Sequence, residues 1–302
     1  MRKYIFATLL TTLLAPLGAL AASRADSIAA ELHNPESKRV LVVAHRGDWR
    51  SWPENSLPAM QSAIDQGADI IELDIHMTAD SVLVVCHDAK VDRTTTGRGR
   101  IRELSYDSIA SLSLRTGHGI ATSLPMPTLR EALELCRDKA VVNIDKGYEY
   151  YDQALALCHE LGVAGQVLIK GKALPADVES KLKAHTDNMM YMPIVEVQKE
   201  RGQALWNAYK ERAEVPMAVE VCWSTCGPDV DAAIAEIRDA GAKIWVNSLW
   251  PKLNGGLCDD AAAMASDPAE IYDALLSTGA TIVQTDRIGL LVSYLRKRDL
   301  HP

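Results

Sequence analysis

Gly67-Ala68-Asp69-Ile70-Ile71-Glu72-Leu73-Asp74-Ile75 sets two carboxylates, one residue apart, inside an apolar run. On a β-strand alternate side chains share a face, so Glu72 and Asp74 stand about 6–7 Å apart on the same side, where oxygen ligands share a hard cation. Without a cation between them, two such carboxylates would repel each other. Val40-Leu41-Val42-Val43-Ala44 leads into His45, and Val82-Leu83-Val84-Val85-Cys86 leads into His87. Both histidines therefore stand at expected strand ends flanking the acidic pair. One hard cation with two titratable imidazoles is the equipment of acid–base hydrolysis.

Outward from this run, short β-branched segments alternate with longer segments of helical period, the pattern of βα units and a parallel sheet. Eight strands are expected: 40–44, 69–75, 140–146, 166–170, 189–195, 217–223, 243–247 and 281–285. Helices are expected between and after them at 56–66, 128–137, 150–161, 175–184, 199–212, 229–240, 268–277 and 289–297. Several end at a glycine, as in Leu161-Gly162, which suits a left-handed C-cap. Eight alternating units over about 260 residues match a TIM (β/α)8 barrel better than an open doubly wound sheet. Active sites of such barrels form at the C-terminal strand ends, where His45, Glu72 and Asp74 fall. Residues 82–127 are too long for a simple connection and read as an insertion after the second barrel strand, opening with the strand that carries His87. A short helix is expected near 106–112. One domain from about Glu31 to Arg298 is the economical division.

The 302 residues are 48% hydrophobic and 24% charged, an ordinary globular composition. Arg2-Lys3, an apolar stretch from Tyr4 to Leu17, and Ala19-Leu20-Ala21 read as the three parts of an export signal, expected to be cleaved after Ala21. The expected location is the periplasm or the exterior, with no membrane span left, since the apolar run is shorter than a bilayer needs. Losing Arg2 and Lys3 takes the net charge from -8 to -10, which argues against nucleic acid as a partner. An anionic small substrate then requires local cations at the site. The six cysteines allow a disulfide, Cys222 and Cys226 being the nearest pair, while Cys86, Cys136 and Cys158 read as buried thiols.

The segments His45-Arg46-Gly47, Pro53-Glu54-Asn55-Ser56, Gly67 through Asp74, His87-Asp88 with Asp92-Arg93-Thr94-Thr95, Pro127-Thr128-Leu129 and Thr285-Asp286-Arg287 occur in that order. Together they closely resemble the motifs of the glycerophosphodiester phosphodiesterase family, most densely from Val43 to Gly99. The resemblance implies a TIM barrel, one divalent cation (Ca²⁺ or Mg²⁺), and hydrolysis of a small glycerophosphodiester to sn-glycerol 3-phosphate and an alcohol. A phospholipase-type enzyme acting on intact lipid and a non-catalytic phosphodiester-binding protein are the competing readings.

Each residue has a task that phosphodiester cleavage requires. Glu72 and Asp74 are the expected metal ligands, and His45 and His87 the acid and base, in either order. Arg46 offers a guanidinium fork for a phosphate oxygen. Glu54 holds glycerol hydroxyls, orients Arg46 or reaches the metal. The family's third ligand is a glutamate two residues before a lysine, whereas this chain has Asn143-Ile144-Asp145-Lys146. Asp145 fits the ligand position, but adjacent strand residues face opposite sides, so either Lys146 or Lys170 is the lysine that faces the phosphate. Glu220 and Trp245 are further expected substrate contacts, Trp245 as an apolar wall or as core. Residues 255–260 read as a mobile loop, and Asp286 as the cap of the final helix.

Overall fold

The computed structural model describes residues 22–212 and 214–302, and the expected export signal at 1–21 lies outside them. The strands in chain order are β1 Leu41–His45, β2 Ile70–Met77, β3 Leu83–Val85, β4 Ser113–Arg115, β5 Ala121–Pro125, β6 Val141–Asp145, β7 Val167–Gly171, β8 Met190–Glu196, β9 Ala218–Cys222, β10 Lys243–Asn247 and β11 Ala280–Thr285. The helices are α1 Arg24–Leu32, α2 Leu57–Asp65, α3 Tyr106–Ala110, α4 Leu129–Cys136, α5 Tyr151–Leu161, α6 Pro175–Lys183, α7 Glu200–Lys210, α8 Pro228–Asp239, α9 Asp259–Met264, α10 Ala269–Leu276 and α11 Ile288–Arg296. The expected strands and helices all form, with ends shifted by a residue or two.

Eight strands pair in the order β1-β11-β10-β9-β8-β7-β6-β2, and β1 pairs with β2 to close the ring. Every pairing in the ring is parallel. The fold is the expected TIM barrel. In the stretch expected as an insertion, β3 runs antiparallel to β2, β4 and β5 form a separate hairpin, and Val84, Ile101, Ile109 and Leu114 build a small core of their own.

Alternation along the strands sorts side chains into two environments. Val42, Ala44, Ile71, Leu73, Val142 and Ile144 pack outward against the helices. Leu41, Val43, Ile70, Val141, Leu168, Trp245 and Ile282 fill the bottom of the barrel. Continuing two residues at a time up the same inner face gives Glu72, Asn143, Lys170, Asn247 and Gln284, then His45, Asp74, Asp145 and Asp286. The interior is thus apolar below and polar above, toward the C-terminal ends of the strands.

Helix starts have local causes. Thr128 Oγ1 accepts from Glu131 N while Glu131 returns a bond to Thr128 N, a capping box. Pro175 and Pro228 occupy first-turn positions where no backbone donor is lost. Gly162 ends α5 at φ +69.

Helix α1 was not anticipated, and the expected domain start near Glu31 falls inside it. It is capped by a Ser23–Asp26 box, and its Ile28 and Leu32 pack into the bottom of the barrel. Arg24 ties it to the carbonyls of Lys139 and Ala68 and to the Asp69 carboxylate at 3.1 Å, with Arg39 on the same carboxylate at 2.6 Å. The chain end is also part of this unit, since His301 is buried beyond the expected limit at Arg298. All six cysteines are free, including the Cys222–Cys226 pair, and Cys86, Cys136 and Cys158 are buried as expected. Among the described residues no helix is long and apolar enough to cross a membrane.

Leu32→Ala is expected to lower the unfolding free energy by about 2–4 kcal/mol, because it opens a hole between α1 and the barrel floor. Urea denaturation of the variant beside the parent chain reads the loss.

Candidate active site

The register of three strands assembles the site. His45 stands beside Glu72, Glu72 beside Asn143, and Asp74 beside Asp145. One carboxylate oxygen each from Glu72, Asp74 and Asp145 lies within 4.8 Å of the others. Glu72 and Asp74 are buried. Burial foremost, then repulsion from Asp74, pushes the Glu72 carboxyl up to about 7, against the pull of His45 and Lys170. Burial acts on Asp74 too, but Lys146, His87 and Arg46 outweigh it and hold that carboxyl below its ordinary value. Arg46 N donates to Glu72 Oε2 at 3.0 Å, and Asn55 Nδ2 to Asp74 Oδ2 at 3.3 Å.

The lysine question has a backbone answer. Strand β6 ends at Asp145, and Lys146 turns left-handed at φ +59. That turn carries its side chain back over the mouth, where Nζ reaches Asp74 Oδ1 at 3.1 Å and donates to His87 O at 2.9 Å. A non-glycine residue held there costs on the order of 1–2 kcal/mol, which the ion pair and hydrogen bond offset. Arg46, at φ +55 just past β1, and Asn55, at φ +59, use the same device. Gly47 between them has no alternative, since a Cβ there would lie 2.7 Å from the carbonyl carbon of Ala59.

Lys170 lies lower. Its Nζ pairs with Glu220 Oε2 at 3.0 Å and donates to Gln284 Oε1 at 3.3 Å. Burial works against its charge, yet Glu220, Asp145 and Glu72 hold the ammonium above its ordinary value. Lys170 and Glu220 therefore neutralise each other beneath the mouth, and Lys146 is the lysine at the rim. Trp245 is also not a rim residue: it is 0% exposed, lies under Lys170 with Nζ 5.5 Å from the ring centre, and donates from Nε1 to Gln284 Oε1. Its position on the inner face two residues below Asn247 makes it core. The exposed indole at the mouth is Trp250, 44% exposed and edge-on to His45 at 5.7 Å.

Each histidine has a carboxylate on Nδ1. His45 Nδ1 lies 2.8 Å from Asp286 Oδ1, and His87 Nδ1 lies 2.7 Å from Asp88 Oδ1. Because an ionised carboxylate only accepts, Nδ1 carries the proton in both rings and Nε2 is the free nitrogen. Asp286 also accepts from Trp49 Nε1 at 2.6 Å; burial opposes its charge, but the His45 and Trp49 bonds hold it below its ordinary value. Asp286 is therefore not the expected cap of α11, whose N-terminal residue Arg287 makes no side-chain cap.

Asp88 is held by Arg93, which depresses its carboxyl well below the usual range and with its other nitrogens grips both oxygens of Glu54. Glu54 in turn pairs with Arg46 Nη1 at 3.1 Å. Of its expected roles, Glu54 fills that of orienting Arg46. In residues 255–260, expected as a mobile loop, buried Asp259 is tied down, accepting from Ser248, Tyr272, Thr285 and Asp286 N. Asn55, Asp88, Arg93, Trp250 and the Asp286 contact were missed as working parts. Most adjoin or belong to quoted motifs, but their partners lie up to 241 residues away in the chain.

Residues 45–173 match the model of the glycerophosphoryl diester phosphodiesterase family, and residues 191–295 match one described only as a domain of unknown function. A glycerophosphodiester phosphodiesterase of Caldanaerobacter subterraneus subsp. tengcongensis is 44% identical over 110 residues, which are 35% of this chain and 45% of that protein. The Bos taurus glycerophosphodiester phosphodiesterase 1 is 43% identical over 101 residues, 32% of this chain and 30% of that one. The chain thus spans less than half the length of these relatives. A glycerophosphoryl diester phosphodiesterase of Parabacteroides distasonis superposes with a TM-score of 0.72 at 20% identity, covering 93% of this chain and 94% of that one. A phosphodiesterase of Oleispira antarctica, solved with its product sn-glycerol 3-phosphate, gives 0.63 at 20% identity, with 87% and 99% coverage. The match to the glycerophosphoryl diester phosphodiesterase family model thus covers residues 45–173, the part of the chain that carries both histidines, the carboxylate cluster and Lys146.

Proposed function

We propose that the protein hydrolyses glycerophosphodiesters to sn-glycerol 3-phosphate and an alcohol, using one divalent cation, Ca²⁺ or Mg²⁺. The observation that carries this reading is the convergence at one barrel mouth of three carboxylates, two carboxylate-oriented histidines and two cations, Arg46 and Lys146. The names of the sequence relatives supply the substrate class.

The residues present fit a hard cation. Glu72, Asp74 and Asp145 offer only oxygen donors, burial together with repulsion from Asp74 raises the Glu72 carboxyl against the pull of His45 and Lys170, and the buried Asn55 Oδ1 has no hydrogen-bond partner. A cation held by these three carboxylates would supply Lewis-acid stabilisation of phosphate charge. Arg46 and Lys146 hold the remaining phosphate oxygens. One histidine takes a proton from the attacking water as its oxygen bonds to phosphorus. The other, entering as the imidazolium with Nε2 also protonated, gives that proton to the alcohol oxygen as its bond to phosphorus breaks. Asp286 and Asp88 keep the two Nε2 atoms turned to the reacting groups, while Trp250 shields His45 from bulk water. The basic, apolar and alanine-rich parts of residues 1–21 support export to the periplasm or exterior, which fractionation with processed N-terminal sequencing tests.

Purified protein should release glycerol 3-phosphate from at least one glycerophosphodiester, with ³¹P NMR identifying the product, and EDTA should abolish the release. Full turnover after chelation would sink the proposal. His45→Ala and Glu72→Ala should each lower kcat/KM by several orders of magnitude. Asp286→Asn, which leaves a bond to His45 but favours the wrong tautomer, should lower kcat roughly 10²–10⁴-fold with little change in KM.

Glu72 also makes the chelated protein sensitive to pH. Its carboxyl is raised in the folded state, so its contribution to stability is complete below about pH 4.5 and is lost as pH rises through about 7. In EDTA, Glu72→Gln should therefore be more stable than the parent at pH 8, by on the order of 2–3 kcal/mol, and no more stable at pH 4. Thermal or urea unfolding at the two pH values reads the difference.

A further inference from the structure

Four strands round the ring from β2, in either direction, lies β9, and four from β6 lies β10, so the carboxylate cluster faces β9 and β10 across the mouth. There a cavity of about 640 Å³ opens, with Glu220 on its inner wall and Lys172, Glu196, Lys199, Trp223 and Lys252 among its lining residues. Glu220 pairs with Lys170, whose charge interacts with Glu72 and Asp145, so the cavity begins where the cation cluster ends. Its size falls in the range of small-molecule sites and exceeds what a three-carbon polyol fills. Of the two arms of a phosphodiester, the larger alcohol arm is the one it suits.

The charges facing the cavity are asymmetric. Glu196, at the end of β8, lies between Lys172 Nζ at 2.8 Å and Lys199 Nζ at 2.5 Å, and these two bonds hold its carboxyl below its ordinary value. Glu220 is matched by Lys170. Both lining carboxylates are thus already paired with lysine, and Lys252, in the exposed turn after β10, has no carboxylate partner among the described residues. The one lining indole, Trp223, is 3% exposed and presents no face on which an ammonium head could rest. The Cys222 thiol beside it is pushed up by burial and stays neutral. A cationic alcohol entering here meets surplus positive charge and no free anion, whereas hydroxyl or acidic groups meet ammonium donors.

We propose that this cavity receives the alcohol arm and selects alcohols without positive charge, polyhydroxylated or acidic, over choline and ethanolamine. The proposal rests on the phosphodiesterase reading above.

The test compares kcat/KM for glycerophosphoinositol, glycerophosphoglycerol, glycerophosphocholine and glycerophosphoethanolamine with the metal-loaded protein. The polyol esters should exceed the choline ester by about tenfold or more. Lys252→Glu and, separately, Lys172→Glu should each cut that ratio several-fold, by raising the choline rate as well as lowering the inositol rate. Preference for the choline or ethanolamine ester, or a ratio that both reversals leave unchanged, would overturn the cavity's role while the hydrolase reading stands. Failure to cleave any of the four esters would overturn both.

Discussion

The parallel register of β1, β2 and β6 is the constraint on which the site depends. Hydrogen bonding sets His45 level with Glu72 and Asp74 level with Asp145, and the period of two turns all four side chains into the barrel. A slip of one residue in either ladder would exchange the carboxylates for Ile71 and Leu73, which now pack against helices. The apolar outward residues thus guard the polar inward ones: the energy of burying the first fixes the position of the second. This separation lets one strand pack a hydrophobic layer and display a charged site.

Above the strands, geometry is held by charge pairing rather than packing. Asp88, Arg93, Glu54 and Arg46 form a continuous chain of ion pairs from His87 round to the β1–α2 loop. Arg93 is half exposed, so its individual pairs are worth little in water; its two-pronged grip on both Glu54 and Asp88 chiefly fixes orientation. On the other side His45, Asp286 and the buried Asp259 make a shorter chain that joins β1 to β11 and α9. The histidines are therefore oriented independently, one by a partly exposed ionic network and one by a buried hydrogen-bonded one.

Much of this was legible in the chain. The eight barrel strands followed from β-branched runs, and Glu72, Asp74 and His45 from their places at the ends of such runs. Lys146 was ambiguous because strand alternation turns it away from Asp145; the left-handed turn that restores it leaves no mark in a non-glycine residue. Trp245 was read as either wall or core, and only the inner-face layering, which places it below Asn247, decides for core. Asp286 was misread because its partner lies at the other end of the chain, closed onto it by the β1–β11 pairing. Helix α1 is not legible in the chain because it follows an apolar leader, and its amphipathic face has meaning only once a barrel exists to receive it.

That helix has a consequence for traffic through the molecule. Ile28 and Leu32 stopper the end of the barrel remote from the carboxylates, and Arg24 laces the stopper to the strand starts. Together with the packed apolar layer they cover, Ile28 and Leu32 leave no passage below the site, so whatever reaches the acidic cluster enters and departs at the C-terminal ends of the strands.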